Sequence, residues 1–149
     1  MINRSDNNSW AVLNSAVGHA RLDSYAQANG IGSYKYIGNL MTASDQAQLL
    51  SKLYNRQLLN EEHTKLLLSF MQNTNNEEMI PKVTPGGTLY HKYGQLEDRL
   101  HDSAILNYKD RPLVLVIYTK GSGDGNVYSE RITLIQNIAQ TIFDTIYSS

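Results

Sequence analysis

Apolar side chains recur at steps of three and four through the first half of the chain. In the second half they alternate or run together, so the pattern predicts helices, then strands, then one last helix. From Asn8 to Val17, Trp10, Val12, Leu13, Ala16 and Val17 fall near helical spacing, and Gly18 supplies a stop. A second helix is predicted from His19 to Ala28, closed by Asn29-Gly30, and the glycine-punctuated stretch up to Leu40 reads as a loop. Thr42-Ala43-Ser44-Asp45 places a threonine N-cap three residues before an acid, a variant of the capping box. The helix it opens runs to about Asn55 with Ala47, Leu50, Leu53 and Tyr54 inward, and another follows from Asn60 to Met71.

Pro81, Pro85 and Gly86-Gly87 then break the helical pattern. Thr88 to Tyr93 alternates as a strand does, and a second strand is predicted around residues 102–107. Leu113-Val114-Leu115-Val116-Ile117-Tyr118-Thr119 is a continuous apolar and β-branched run, which argues for a strand covered on both faces. Residues 121–125 are predicted to form the following turn. Ser129 to about Tyr147 carries Ile132, Ile135, Ile138, Ile142 and Ile146, with Leu134, Ala139 and Phe143 widening the stripe, so this helix is expected to pack on the sheet. The chain reads as one domain over residues 1–149, helical to about residue 80 and strand-rich from about 81.

Composition narrows the chemistry. With 41% apolar and 18% charged residues the chain is globular in type. A formal charge of −1, without a run of like charges, offers no footprint for nucleic acid or an anionic membrane. The absence of cysteine removes disulfides and thiolate catalysis. No stretch approaches the ~20 apolar residues of a membrane span, and Met1-Ile2-Asn3-Arg4 leads into no signal-peptide hydrophobic region, so no export address is read from the chain.

Two short motifs remain. Ser5-Asp6-Asn7 is made of strong N-cap residues, and an amphipathic helix follows at once. His91-Lys92-Tyr93-Gly94 has an equally plain reading, a solvated lysine on an edge strand with glycine at a bend. Their order along the chain, with helices after the triplet and strands plus a helix after the lysine, gives the pair its weight. His63 and His101, beside Glu62 and Asp102, lack His-x-x-x-His spacing, and adjacent residues point to different faces, so no metal site is expected. Tyr34 and Tyr36, in the glycine loop, are candidates to line a groove.

On those motifs the chain resembles the C-terminal part of class A serine β-lactamases and penicillin-binding D-alanyl-D-alanine peptidases. That family combines a Ser-x-x-Lys sequence, a Ser-Asp-Asn loop and a Lys-Thr-Gly or Lys-Ser-Gly strand between a helical subdomain and an antiparallel sheet. Ser5, Asp6 and Asn7 match the loop; Lys92 and Gly94 match the strand motif, and His91 stands where the family sometimes has histidine. Residues 39–45 resemble the family's Thr-Ala-x-Asp helix start, and Pro112 through Thr119 its penultimate strand. The resemblance implies an α+β fold without its N-terminal strands and nucleophile helix. It implies that Ser5 relays a proton, Lys92 supplies positive charge, Asn7 orients the substrate amide, and the backbone N–H of Gln95 helps hold an oxyanion. Asp6 would fasten the loop, and Arg99 is the nearby candidate partner for a substrate carboxylate. The implied ligand is a β-lactam or a D-alanyl-D-alanine peptide, with no cofactor.

Departures from the family matter as much. No serine here is followed three residues later by lysine, so the nucleophile is absent and no acyl-enzyme is expected. Residues 31–44 contain no Asp or Glu to activate a deacylating water, and Tyr93 replaces a small hydroxyl residue. Without the family's N-terminal strands, the strand at 113–119 is expected to leave an open edge, available to a second copy, to strand exchange or to the missing half. Three functions stay open: the C-terminal portion of a secreted or cell-envelope serine hydrolase, a non-catalytic binding module for β-lactams or peptidoglycan-like peptides, and a structural or interaction domain.

Overall fold

A computed structural model describes residues 1–121 and 128–147. Helices α1 (Asn7–Val17), α2 (His19–Ala28), α3 (Ala43–Tyr54), α4 (Glu61–Ser69) and the one-turn α5 (Ile80–Val83) precede strands β1 (Thr88–Leu96), β2 (Arg99–Tyr108) and β3 (Arg111–Lys120), and α6 (Tyr128–Tyr147) closes the order. The turn expected after β3 falls mostly on residues 122–125, outside those described.

The strands form an antiparallel meander in the order β1-β2-β3. Lys109 and Asp110, with φ of 51° and 57°, make the two-residue link between β2 and β3. Two successive left-handed residues match the twist of the paired strands. At the start of β1, Gly87 has φ of 122°, and a Cβ there would lie 2.6 Å from the Asn107 carbonyl oxygen, so only glycine fits.

Alternation along the strands divides the core in two. On one face Ile105 of β2 packs with Leu50 and Leu53 of α3, Leu68 of α4 and Met71, flanked by Tyr90, Val114 and Val116. The other face joins Leu100, Ala104 and Ile117 to Met79, Ile80, and Ile135 and Ala139 of α6. Ile105 and Ile135 are fully buried, and each such side chain contributes roughly 1.5–3 kcal/mol.

Several expectations change in detail. Both faces of β3 are contacted, but only Ile117 and Thr119 are buried, because among the described strands β3 has a neighbour on one side alone. Pro112, which lacks an N–H, sits at the second position of β3, where an edge strand tolerates it. Pro81 does not simply interrupt helix: it lies in the first turn of α5, where a missing N–H costs nothing. Thr42 caps α3 by accepting the Asp45 N–H, yet the reciprocal half of the capping box is rerouted. The Asp45 carboxylate accepts Ser33 N–H at 2.7 Å and Ser33 Oγ–H at 2.6 Å, and the Thr42 N–H donates to Ser33 Oγ at 2.9 Å. Ser33 therefore ties the preceding loop to the helix start. Leu134 stays exposed on α6, whereas Arg131, Ile135, Ala139 and Tyr147 are buried. No residue of α1 is buried.

Candidate functional site

The β1–β2 register decides which side chains share a surface. Lys92 lies opposite Ser103 and Gly94 opposite His101, so these four face the side of the sheet that carries α3. Ser5 approaches from the segment before α1. Its φ of 53° is left-handed, a conformation that costs a non-glycine residue about 1–2 kcal/mol. Lys92 Nζ donates to Ser5 Oγ at 2.6 Å and also to the Tyr93 carbonyl. Because Oγ accepts from the ammonium, the serine's own proton remains free to be donated.

Two adjoining cavities, of about 470 Å³ and 490 Å³, meet at Lys92, Tyr93, Gly94, Arg99 and His101. Ser5, Asp6, Asn7, Trp10 and Gln95 line the first. The second extends to Tyr34, Ser103, Tyr118, Thr119 and Lys120, and among the described residues no Asp or Glu lines it. The structure thus gathers Ser5, Asp6, Asn7, Lys92, Tyr93, Gly94, Gln95 and Arg99 around one groove. Asp6 is committed to the helix: its carboxylate accepts Asn8 N–H at 3.0 Å, Ser9 N–H at 3.3 Å and Ser9 Oγ–H at 2.5 Å. The Ser9 hydroxyl, then the Asn8 N–H, hold its pKa below the usual carboxylate value.

Electrostatically the groove is cationic, with Lys92, Arg99 and Lys120 along it. Burial pushes the Lys92 ammonium below its ordinary pKa, an effect that Asp102 partly offsets. Tyr93 packs toward the α6-side core, and Lys92 Nζ lies 4.2 Å from its ring centroid. Gly94 leaves room, since an added Cβ would come no closer than 3.9 Å to protein, at His101 Cβ.

Some groove residues were not singled out in the sequence. His101, considered above only as a metal ligand, stacks on Tyr118 with ring centroids 4.2 Å apart. Its Nδ1 accepts the Thr119 N–H at 3.1 Å, which leaves Nε2 to carry the proton of the neutral ring. Burial first, and Arg99 with it, lower its pKa. The period-two pattern could have paired His101 with Gly94 only if the hairpin register were known. Trp10 reads in the sequence only as an apolar position of the first helix, and Asn39 only as part of the lead into α3. Tyr36 stacks on His19, at 3.5 Å between centroids, rather than lining the groove, and His63 is exposed on α4. Among the described residues no group of three His, Cys, Asp or Glu side chains is placed to hold a metal, and no helix is long and apolar enough to cross a membrane.

Helices packed against an antiparallel sheet, with a serine and a lysine meeting in the groove between them, define the β-lactamase and transpeptidase-like fold. The chain belongs to the β-lactamase enzyme family, whose model matches residues 1–146. Solved structures agree on the fold. A variant of PBP-A in an acyl-enzyme complex with penicillin G is similar at 19% identity and a TM-score of 0.89, covering 100% of this chain and 60% of that one. A β-lactamase from Desulfarculus baarsii gives 20% identity and a TM-score of 0.89, covering 99% and 62%. The TLA-1 extended-spectrum β-lactamase gives 19% identity and a TM-score of 0.86, covering 97% and 61%. This chain therefore spans about 60% of the length of the structures it resembles. No curated protein matches it.

Proposed function

We propose that this chain is the C-terminal portion of a β-lactamase-like serine hydrolase and forms the substrate-orienting side of its cleft. The observation that carries this reading is the 2.6 Å hydrogen bond from Lys92 Nζ to Ser5 Oγ inside a cationic groove. A carboxylate-bearing ligand, a β-lactam or a D-alanyl-D-alanine peptide, is held by Lys92 with Arg99 beside it. Asn7 orients the ligand amide, and the space over Gly94 admits the ligand close to the strand. The Gln95 N–H faces the developing oxyanion, and Tyr93 replaces a compact hydroxyl with a phenol. Ser5, fixed by Lys92, passes its proton toward a leaving nitrogen.

Acylation needs a nucleophile that this chain does not carry, because no serine is followed by lysine three residues on. Among the described residues, the cavity bordered by Ser103 and Tyr118 holds no carboxylate to activate water. The chain accordingly binds without turnover, and an attacking serine is supplied from outside these residues. Its parent is secreted or held in the cell envelope, as the resemblance implies. The open edge of β3 is where a further strand pairs, from a second copy or from the remainder of the fold.

Incubation with a fluorescent penicillin tests this. Saturable, reversible binding is expected, with amide shifts clustered at Ser5, Asn7 and Lys92 and no gain in mass. Shifts elsewhere, or none at millimolar ligand, would overturn the binding reading. A stable covalent adduct would overturn the claim that the nucleophile is missing.

A further inference from the structure

Ser5 and Lys92 belong to segments with no secondary structure in common, so something must set the distance between them. The stretch at 71–77, irregular in backbone and placed just after α4, is bonded to both. Toward Ser5, the Asn3 Nδ2 donates to the carbonyls of Gln72 at 2.9 Å and Asn73 at 3.2 Å. The Asn75 N–H donates to Asn3 O at 3.3 Å, and Asn75 Nδ2 to Arg4 O at 3.2 Å. Four bonds thus hold the two residues that lead directly into Ser5.

Toward Lys92, the same stretch grips the adjacent residue. His91 donates its backbone N–H to Met71 O at 2.7 Å, along the edge of β1 that β2 does not cover. Its fully buried ring points to the face opposite Lys92. There Nε2 lies 2.8 Å from Thr74 Oγ1 and 3.1 Å from Glu77 Oε1, while Nδ1 lies 3.0 Å from Asp102 Oδ1. Glu77 Oε1 also accepts the Thr74 N–H and hydroxyl, and Asp102 Oδ2 accepts the Ile80 N–H at 3.1 Å.

We propose that residues 71–77 act as a brace that sets the Ser5–Lys92 distance, with His91 as the positioning residue whose ring locks the brace to β1. A carboxylate stands at each ring nitrogen, so both bonds are satisfied at once only by the imidazolium, which donates at both. Burial alone would lower the His91 pKa; the hydrogen bond and charge of Asp102, then those of Glu77, outweigh it and raise the value. The charged groups around the ring are Glu77 from the brace, Asp102 from β2 and, on the far face of its own strand, Lys92. Loss of the proton bares Nε2, which then takes the Thr74 hydroxyl 2.8 Å away as its donor, so Glu77 loses both the ring N–H and that hydroxyl. Glu77 is the one that lets go, because its side chain is partly open to water whereas Asp102 is sealed. The brace then loosens at both ends.

The inference takes from the proposed function only the identity of the pair being positioned. Its test contains no ligand, so it fails or stands independently of β-lactam binding. In the full chain, the His91 ring nitrogens and the Ser5 backbone amide are followed by NMR from about pH 5 to about pH 10. The Ser5 amide, remote from His91 in sequence, is expected to titrate with the His91 midpoint. Glu77→Gln is expected to lower both midpoints together. Asn3→Ala, or Asn75→Ala on an exposed side chain, is expected to cut the Ser5 amplitude several-fold while the His91 midpoint stays in place. A purely structural histidine would not show that uncoupling. A Ser5 amide that stays flat through the His91 titration, a full Ser5 amplitude in both asparagine variants, or a ring that never titrates would overturn the brace.

Discussion

Lys92 Nζ and Ser5 Oγ are 2.6 Å apart although 87 positions separate them in the chain. Ser5 lies in the segment before α1, and Lys92 is on β1. The meeting depends on β1 projecting alternate side chains to opposite faces and on the hydrogen bonds that hold residues 3 and 4 against the loop after α4. Lys92→Met removes the cation while keeping the length of the side chain. It is expected to weaken an anionic β-lactam by roughly 10-fold to 100-fold, the worth of one charge-assisted hydrogen bond of about 1.5–3 kcal/mol. Titration calorimetry or ligand-observed NMR reads this directly, and unchanged affinity would remove Lys92 from the binding site.

His91 gives stability a pH dependence whose sign follows from its environment. Its folded value is raised, so folding favours the protonated ring. The contribution is fully present below the unfolded imidazole value of about 6.5 and fades as pH rises through the folded value. Urea midpoints are therefore expected to fall as pH rises above about 6.5, and that slope to be lost in His91→Asn. A midpoint that rises over this window would contradict the imidazolium.

Removing the ring altogether is costlier. His91→Ala strands the buried Asp102 carboxylate, which is fully sealed from solvent. Breaking a buried pair from one side costs about 3–5 kcal/mol, and equilibrium urea unfolding at a pH where the ring is charged measures it. A loss below about 1 kcal/mol would place the pair among weak surface interactions instead.

Gly87→Ala is predicted to destabilise the β1–β2 pairing by about 2 kcal/mol or more, because strain at positive φ adds to a collision with backbone. The added Cβ would meet the Asn107 carbonyl oxygen at 2.6 Å, and neither atom can swing aside as a side-chain tip would. Gly94→Ala meets only ordinary contact at 3.9 Å and is expected to leave the unfolding midpoint nearly unchanged. The two variants, compared by thermal or urea unfolding, separate a glycine needed by the chain from one whose space opens on the groove.

Among the described strands β3 is unpaired on one edge, and concentration-dependent self-association is the expected outcome, measured by sedimentation velocity. Leu113→Lys, which places a charge on a half-buried position of that strand outside both core clusters, is expected to reduce it. A chain that stays monomeric at high concentration would exclude pairing between copies.

Much of the architecture was legible in the residues themselves, because it is written in periodicity and in caps. Helical spacing placed α1, α3 and α6; Asn29-Gly30 marked the end of α2; alternation placed β1; Thr42 and Asn60 marked the starts of α3 and α4. Ser5-Asp6-Asn7 was legible twice over, since Asp6 does cap α1 while Ser5, one position earlier, is turned to the groove. Local sequence could not reveal that Ser33 would intercept the Thr42–Asp45 capping box, nor that α1 would keep Trp10, Val12, Leu13 and Val17 exposed. Those outcomes depend on which neighbours arrive, and periodicity says only that a face exists, not what covers it.

The amino-acid order by itself determined the succession of helices and strands, the glycines that left-handed turns demand, and the presence of serine, asparagine and lysine in a recognisable order. Only the tertiary structure decided that Lys92 and His101 share a face, that His91 turns away to two carboxylates, and that an unremarkable asparagine at position 3 helps fix the serine. The reason is physical: propensity and capping act within a few residues, whereas strand register and a hydrogen bond across 87 positions exist only once the intervening chain has folded back.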